Sequence, residues 1–196
     1  RIKCPHCGHS FEYMACGSCN TFGAKFFTDG FVDGPMYVDE SSLFECTECM
    51  KLAWRDEFES EDTSEIGFSG PGGPVPFEKF PDLIEQKPWR NLDEEKYMRV
   101  RAWWMANAKN RVSSAEESEF SDAEIENLQA LLTLLGEAEQ EQLMLAEIHR
   151  ELGQFKQCEQ ALRNIQHKDL QTYRDAIRQL AEAGIAPVTQ VNFGEE

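Results

Sequence analysis

Cys4-Pro5-His6-Cys7-Gly8 stands near the start of the sequence, and Cys46-Thr47-Glu48-Cys49-Met50 repeats its spacing further along. A two-residue spacer lets both sulfurs of a pair face one ion, and two such pairs complete a tetrahedral four-thiolate shell with Zn–S distances near ~2.3 Å. In the first pair Pro5 fixes one φ angle, and Gly8 permits the left-handed turn that aims backbone N–H groups at sulfur. The second pair is framed by strand-forming stretches, Leu43-Phe44-Glu45 before it and Leu52-Ala53-Trp54 after it. Strand, knuckle and strand are the parts of a zinc ribbon. The expectation is a small antiparallel module closed by one structural Zn2+.

Six of the seven cysteines fall in Cys-x-x-Cys pairs, the remaining pair being Cys16/Cys19. Three pairs exceed the capacity of one four-coordinate ion. Joining Cys4/Cys7 to Cys16/Cys19 makes a compact ribbon, whereas joining it to Cys46/Cys49 encloses a longer insert. That insert reads as self-supporting. Its stretch Ala24-Lys25-Phe26-Phe27-Thr28-Asp29-Gly30-Phe31-Val32 is rich in strand formers and broken at Asp-Gly, a hairpin signal that brings the insert's ends together. The early pairing would also leave Cys46/Cys49 without partners. The reading therefore favours Cys4, Cys7, Cys46 and Cys49 as metal ligands, with Cys16/Cys19 as the alternative zinc pair, a redox pair or free thiols. His6 and His9 are spare ligands, read as exposed knuckle residues.

Taken together, Cys4-Pro5-His6-Cys7, Asn20-Thr21-Phe22-Gly23-Ala24, Thr28-Asp29-Gly30, Cys46-Thr47-Glu48-Cys49 and Trp54-Arg55-Asp56-Glu57 resemble a bacterial group of zinc-ribbon proteins with helical C-terminal halves. In that group the metal pairs correspond to the first and third pairs here, and the region before Asn-Thr-Phe-Gly-Ala is usually free of cysteine. Cys16 and Cys19 depart from that pattern. The group has no settled activity, so the resemblance implies fold and not function. A likeness to rubredoxin is thinner, because Met50 stands where a glycine would be expected.

With 196 residues the chain makes one domain or a small module joined to a medium one, at ~100 to 200 residues per domain, which excludes one large enzyme fold. Lys plus Arg number 19 against 36 Asp plus Glu, a net charge of −17 that repels nucleic-acid backbones and anionic membranes. Hydrophobic residues at 41% nevertheless suffice for a packed core. No apolar run approaches the ~18 residues of a membrane span, and Arg1-Ile2-Lys3-Cys4 offers no signal peptide. A soluble cytoplasmic protein is expected, in a reducing compartment where paired cysteines read as ligands and not as disulfides.

The domain reading is a ribbon over 1–60, a Pro/Gly-rich linker over 61–88, a helical domain over 89–186 and a tail over 187–196. Gly67 to Pro76 is read as excluding helix or central strand. Phe68, Phe77 and Phe80 suggest a linker lying on a surface, with a flexible spacer as the alternative. A helix is predicted from Asn91 to about Asn110, with Tyr97, Val100, Trp104 and Ala108 on one face, Met98, Ala102 and Met105 in an adjoining stripe and Trp103 elsewhere; apolar residues on two sides imply a helix that bridges ribbon and helical domain, or simply core. Ser121 and Glu124 form a capping box for the next helix, which Gly136 is expected to end. Leu152-Gly153-Gln154-Phe155-Lys156-Gln157-Cys158 resembles the inter-helix turn of a tetratricopeptide repeat, with Cys158 in the small-residue slot. The fold class is thus α+β, a zinc ribbon followed by an all-α bundle with tetratricopeptide-like helix pairs.

Residues 87 to 111 form the one basic segment, while 112 to 149 lack Lys and Arg and accumulate carboxylates. Pairing between neighbouring helices is the simplest use of this polarity, beside a solvated acidic face or a surface for a basic partner. Trp103, beside Lys96 and Arg99, is expected to be covered by the ribbon edge carrying Trp54, Asp56, Glu57 and Glu59. No His-Glu-x-x-His pattern or phosphate loop is present, and no small-molecule substrate is evident. The leading expectation is a protein-interaction adaptor with a protein partner, and no enzyme. Nucleic-acid binding by ribbon and Trp103 is the alternative, and a thiol-redox role of Cys16/Cys19 the third.

Overall fold

The computed structural model describes residues 1–12, 20–37, 41–60, 73–112 and 119–193. Among them, small antiparallel sheets gather toward the N-terminus and six α-helices follow, an α+β architecture. The strands of the first part are β1 (Ile2–Lys3), β2 (Ser10–Phe11), β3 (Lys25–Phe27), β4 (Val32–Asp33), β5 (Leu43–Glu45), β6 (Leu52–Trp54), β7 (Glu59–Ser60) and β8 (Gly73–Pro74). β1 pairs with β2 and β7 on its two sides, and β5 pairs with β6 and β8.

The β5–β6 pair explains how the two halves are joined. Its register sets Leu43 opposite Trp54 and Phe44 opposite Ala53. Successive strand side chains point to opposite faces, so each pair goes to a different side. Leu43 and Trp54 pack against Val75, Phe80, Leu83, Met98 and Ala102 from the helical part. Phe44 and Ala53 pack with Cys4, Phe11, Cys46 and Phe58 around the cysteine knuckles. One short sheet is therefore the shared wall of two cores.

From residue 73 onward the stretch read as linker is structured. Phe44 faces Pro74, and the Val75 N–H donates to the Leu43 carbonyl at 2.9 Å, so the ladder continues past a proline that has no N–H to give. A single 3-10 turn, Phe77–Lys79, then leads into α1 (Phe80–Gln86). Pro81 does not prevent this helix because it occupies the first turn, where the missing N–H would have no partner anyway. Phe80 and Leu83 anchor α1 in the core. Phe68 lies outside the described residues.

α2 (Leu92–Val112) starts where predicted, with the Asn91 Oδ1 accepting the Glu94 N–H at 2.9 Å. Its two apolar sides are real, but they are assigned differently from the sequence reading. The β5–β6 pair faces Tyr97, Met98 and Ala102, and the Tyr97 hydroxyl accepts the Ser42 N–H at 2.9 Å. Trp103 is fully buried on the other side among Leu128, Leu131 and Ile148. The expected cover by the ribbon edge is thus wrong. An indole buried with its N–H needs an acceptor, and Glu151 supplies one at 2.6 Å. The edge formed by Trp54 and Asp56 instead meets Arg90, whose guanidinium donates to Asp56 at 2.7 Å, while the Trp54 indole donates to the Pro88 carbonyl at 3.0 Å.

α3 (Asp122–Leu132) carries the predicted capping box and stops at Thr133, ahead of Gly136. α4 (Glu139–Glu151) and α5 (Phe155–Leu162) are joined through Gly153, whose φ of 69° is open to glycine. With α6 (Gln171–Glu182) they enclose Ala146, Cys158, Leu162, Ile165 and Ile177. Cys158 is fully buried, and burial followed by the Glu147 charge pushes its thiol up to about 12, which suits packing. The basic segment pairs inward, Lys96 with Glu141 of α4 and Lys109 with Glu124 of α3. The region read as tail contributes β9 (Gln190–Val191), which pairs with β3 so that Phe26 faces Val191. No helix among the described residues is long and apolar enough to cross a membrane.

Candidate metal centre

The two knuckles are built alike. In the first, the Gly8 N–H donates to the Cys4 carbonyl at 3.0 Å and the Cys4 N–H to the His9 carbonyl at 2.8 Å. In the second, Met50 donates to the Cys46 carbonyl at 2.8 Å and Cys46 to the Lys51 carbonyl at 3.0 Å. Gly8 and Met50 both lie in the left-handed region, at φ of 74° and 55°. Met50 takes the conformation that glycine takes in the first knuckle, and 63% of its surface is exposed. β1–β2 carries one knuckle and β5–β6 the other, so each cysteine pair rides on its own hairpin.

These hairpins bring Cys4, Cys7, Cys46 and Cys49 together, their sulfurs all within 4.8 Å of one another. The Cys4 and Cys49 sulfurs are 3.8 Å apart and those of Cys7 and Cys46 are 3.7 Å apart. A tetrahedron's edge is about 1.6 times its centre-to-vertex distance, so sulfurs bound at about 2.3 Å sit about 3.8 Å apart. The donor set therefore fits a four-coordinate ion that prefers soft thiolates. Held by four sulfurs, such an ion lends folding energy and has no open position for a substrate.

The surroundings treat the sulfurs unequally, and burial raises Cys4. Burial raises Cys46, yet the Cys49 and Glu48 N–H groups and the Cys4 and Cys7 thiols outweigh it and bring Cys46 down to about 7. For Cys7 the His9 N–H lowers the value, but desolvation and the neighbouring sulfurs push it up to about 12. His6 is no ligand: its Nε2 lies 2.9 Å from the Leu52 carbonyl and ties the first knuckle to the strand after the second. His9 lies beside Phe11, with ring centroids 6.5 Å apart. Cys16 and Cys19 lie outside the described residues.

Sequence reasoning missed a second constellation, a buried cluster of charges where the insert, the helices and the C-terminal strand meet. Asp29, in the β3–β4 turn, is 3% exposed and forms an ion pair with Arg111 of α2. The Asn107 Nδ2 donates both to Asp29 at 3.0 Å and to Glu151 at 2.9 Å. Arg150, fully buried, donates its Nε–H to Glu147 at 2.8 Å, and its other donors reach Glu147, Thr28 and the Ile185 and Pro187 carbonyls. Burial, then the charges of Glu147 and Asp29, pushes Glu151 well above the carboxylate range, and burial also raises Asp29. The available signal was spacing: Glu147 and Glu151 share the α4 face that carries Met144 and Ile148 toward the core, and Arg150 lies three residues from Glu147. Asp29 was read only as a turn residue.

Comparison with protein-family models, curated proteins and solved structures finds no match.

Proposed function

We propose that the chain is a cytoplasmic protein-interaction module, a zinc ribbon bound to a short tetratricopeptide-like bundle that presents a groove to a partner. Zn2+ is the ion that four thiolates at this spacing favour, and Cys4, Cys7, Cys46 and Cys49 would hold it in a structural role. The Leu152-Gly153 turn with Cys158 buried against α4 supports the repeat-like reading of α4 and α5. The observation that carries the interaction reading is an open trough of about 700 Å³ between α1, α2 and α3, built on the helices that the shared sheet fixes to the ribbon. Nucleic-acid binding loses its stacking platform, since Trp103 is 0% exposed and Lys96 and Lys109 are paired. The test is cross-linking mass spectrometry of the full-length chain in cells. A recurrent partner cross-linked to Lys87 or Lys109, and lost with Cys46→Ser, is expected. Absence of any saturable cross-link would remove the reading.

A further inference from the structure

The trough on the helical part has a shape and a charge pattern that select one kind of occupant. α1 and α3 both pack on α2 and form the two walls. Ala102, Met105 and Ala106 make the floor, spaced as one stripe along α2, with Ile84 on one wall and Ala123 and Ala130 on the other. Small floor residues admit close approach of another backbone. The stripe runs from Ala102 to Lys109, or about 10 Å at 1.5 Å per residue, which matches two turns of an added helix.

The rim decides the sign of that helix. Arg99 is paired with Glu95 at 2.6 Å, and Lys109 with Glu124 at 3.1 Å, so these two cations are already neutralised within the chain. Glu78, Glu85 and Glu126 line the same trough, are exposed, and make no ion pair among the described residues; Lys87 is the one cation there in the same condition. Three uncommitted carboxylates thus face one uncommitted ammonium above an apolar floor. A second copy of this chain, at −17, would bring further negative charge and is disfavoured.

We propose that this trough docks a short basic amphipathic helix of a partner protein, its apolar ridge on Ala102, Met105 and Ala106 and its Lys or Arg residues toward Glu78, Glu85 and Glu126. The proposal rests on the interaction reading above and names the partner's chemistry. Lys87 works against binding and tunes it downward.

Three probes are titrated into the full-length, zinc-loaded protein and followed by amide NMR. They are a synthetic helix with Leu and Ala on one face and Lys on the other, the same apolar face with Glu in place of Lys, and anilinonaphthalene sulfonate. Saturable shifts confined to α1, α2 and α3 with the Lys peptide only are expected. Glu78→Lys, Glu85→Lys and Glu126→Lys together should weaken that peptide about tenfold or more, three exposed charge pairs each being worth a few-fold, and Lys87→Glu should strengthen it. These changes are at exposed positions, so the fold stays intact while Ala130→Trp blocks the trough by bulk. Equal binding of the Glu peptide, or tighter binding of the dye than of the Lys peptide at these helices, overturns the proposal. So does self-association through this face. Shifts restricted to α4, α5 and α6 would overturn the trough while leaving the interaction reading standing, whereas loss of every saturable partner in cells removes both.

Discussion

Replacing Glu151 by glutamine should stabilise the protein at neutral pH although it deletes a buried, hydrogen-bonded carboxylate. Asp29, Glu147 and Glu151 face Arg111 and Arg150, so full ionisation leaves one net negative charge in a buried setting. A single bound proton removes it. Burial and the charges of Glu147 and Asp29 raise Glu151 well above its ordinary range, which makes it the proton's holder. In the unfolded chain the same carboxyl titrates near pH ~4.3. Above that value the folded state keeps a proton that the unfolded state has lost, so stability is full below the unfolded value and falls as pH rises toward the raised folded one, by up to about 1.4 kcal/mol per pH unit.

Glutamine abolishes that slope. Its cost is local: Trp103 and Asn107 both donate to Glu151, so the new amide must displace one of these contacts, at about 1 kcal/mol for a neutral hydrogen bond. The two stability curves should therefore cross on the acid side of neutrality, with the variant more stable above it. Glu147→Gln is the contrast. It strips Arg150, fully buried, of its ion-pair partner and should cost about 3–5 kcal/mol. Urea denaturation of the metal-loaded proteins between pH 6 and 9, followed by tryptophan fluorescence, measures both. Equal slopes for Glu151→Gln and the parent, with a loss as large as that of Glu147→Gln, would show that Glu151 is ionised and refute the reasoning.

Three other outcomes are expected. Cys46→Ser should abolish binding of the metal and unfold the N-terminal sheets, while Cys16→Ser keeps about one ion per chain; metal analysis of the purified variants reads the difference, and full retention by Cys46→Ser would reverse the ligand assignment. Met50→Gly should raise the thermal midpoint, because left-handed backbone costs a β-carbon residue about 1–2 kcal/mol and the added chain entropy returns only about 0.5–1; calorimetry of the metal-loaded protein checks it. Trp103→Ala should cost about 3–5 kcal/mol and loosen α2 from α3 and α4, with β5–β6 still held to α2 at Trp54 and Tyr97, a pattern visible in amide exchange.

Local chemistry was legible wherever one short stretch carried it. Spacing announced a four-sulfur set but allowed two pairings, and the hairpin signal of the insert chose Cys4/Cys7 with Cys46/Cys49, which the structure brings within 4.8 Å. Ser121 with Glu124 announced a helix start, and Leu43-Phe44-Glu45 with Leu52-Ala53-Trp54 announced a hairpin. What stayed hidden was partnership at long range. Proline and glycine in 71–76 lowered the local propensity for regular structure, but burial of Val75, Phe80 and Leu83 against Leu43 and Trp54 outweighs it, as tertiary contacts commonly do. Trp103 was read as needing cover, correctly, but its acceptor lies on a helix that no local pattern connects to it.

Asp29 shows why that limit is physical. Asp-Gly at a hairpin tip normally means solvent, because the aspartate caps its own turn, and here it does: Asp29 accepts the Phe31 N–H at 3.0 Å. The same carboxylate also pairs with Arg111, while the Trp104 indole donates to its backbone carbonyl at 3.0 Å. Next to it, the Thr28 N–H donates to the Thr189 carbonyl at 2.9 Å, and the Thr189 N–H returns to the Thr28 hydroxyl at 3.1 Å. One turn of the insert thus binds α2 and the C-terminal strand at once, with Arg150 of α4 reaching the same Thr28 hydroxyl. The knuckles are held by pairing within their own hairpins, whereas among the described residues the insert between them is tied to α2, α4 and β9. The N-terminal sheets and the helices are therefore joined twice, through the apolar β5–β6 wall and through this buried charge cluster.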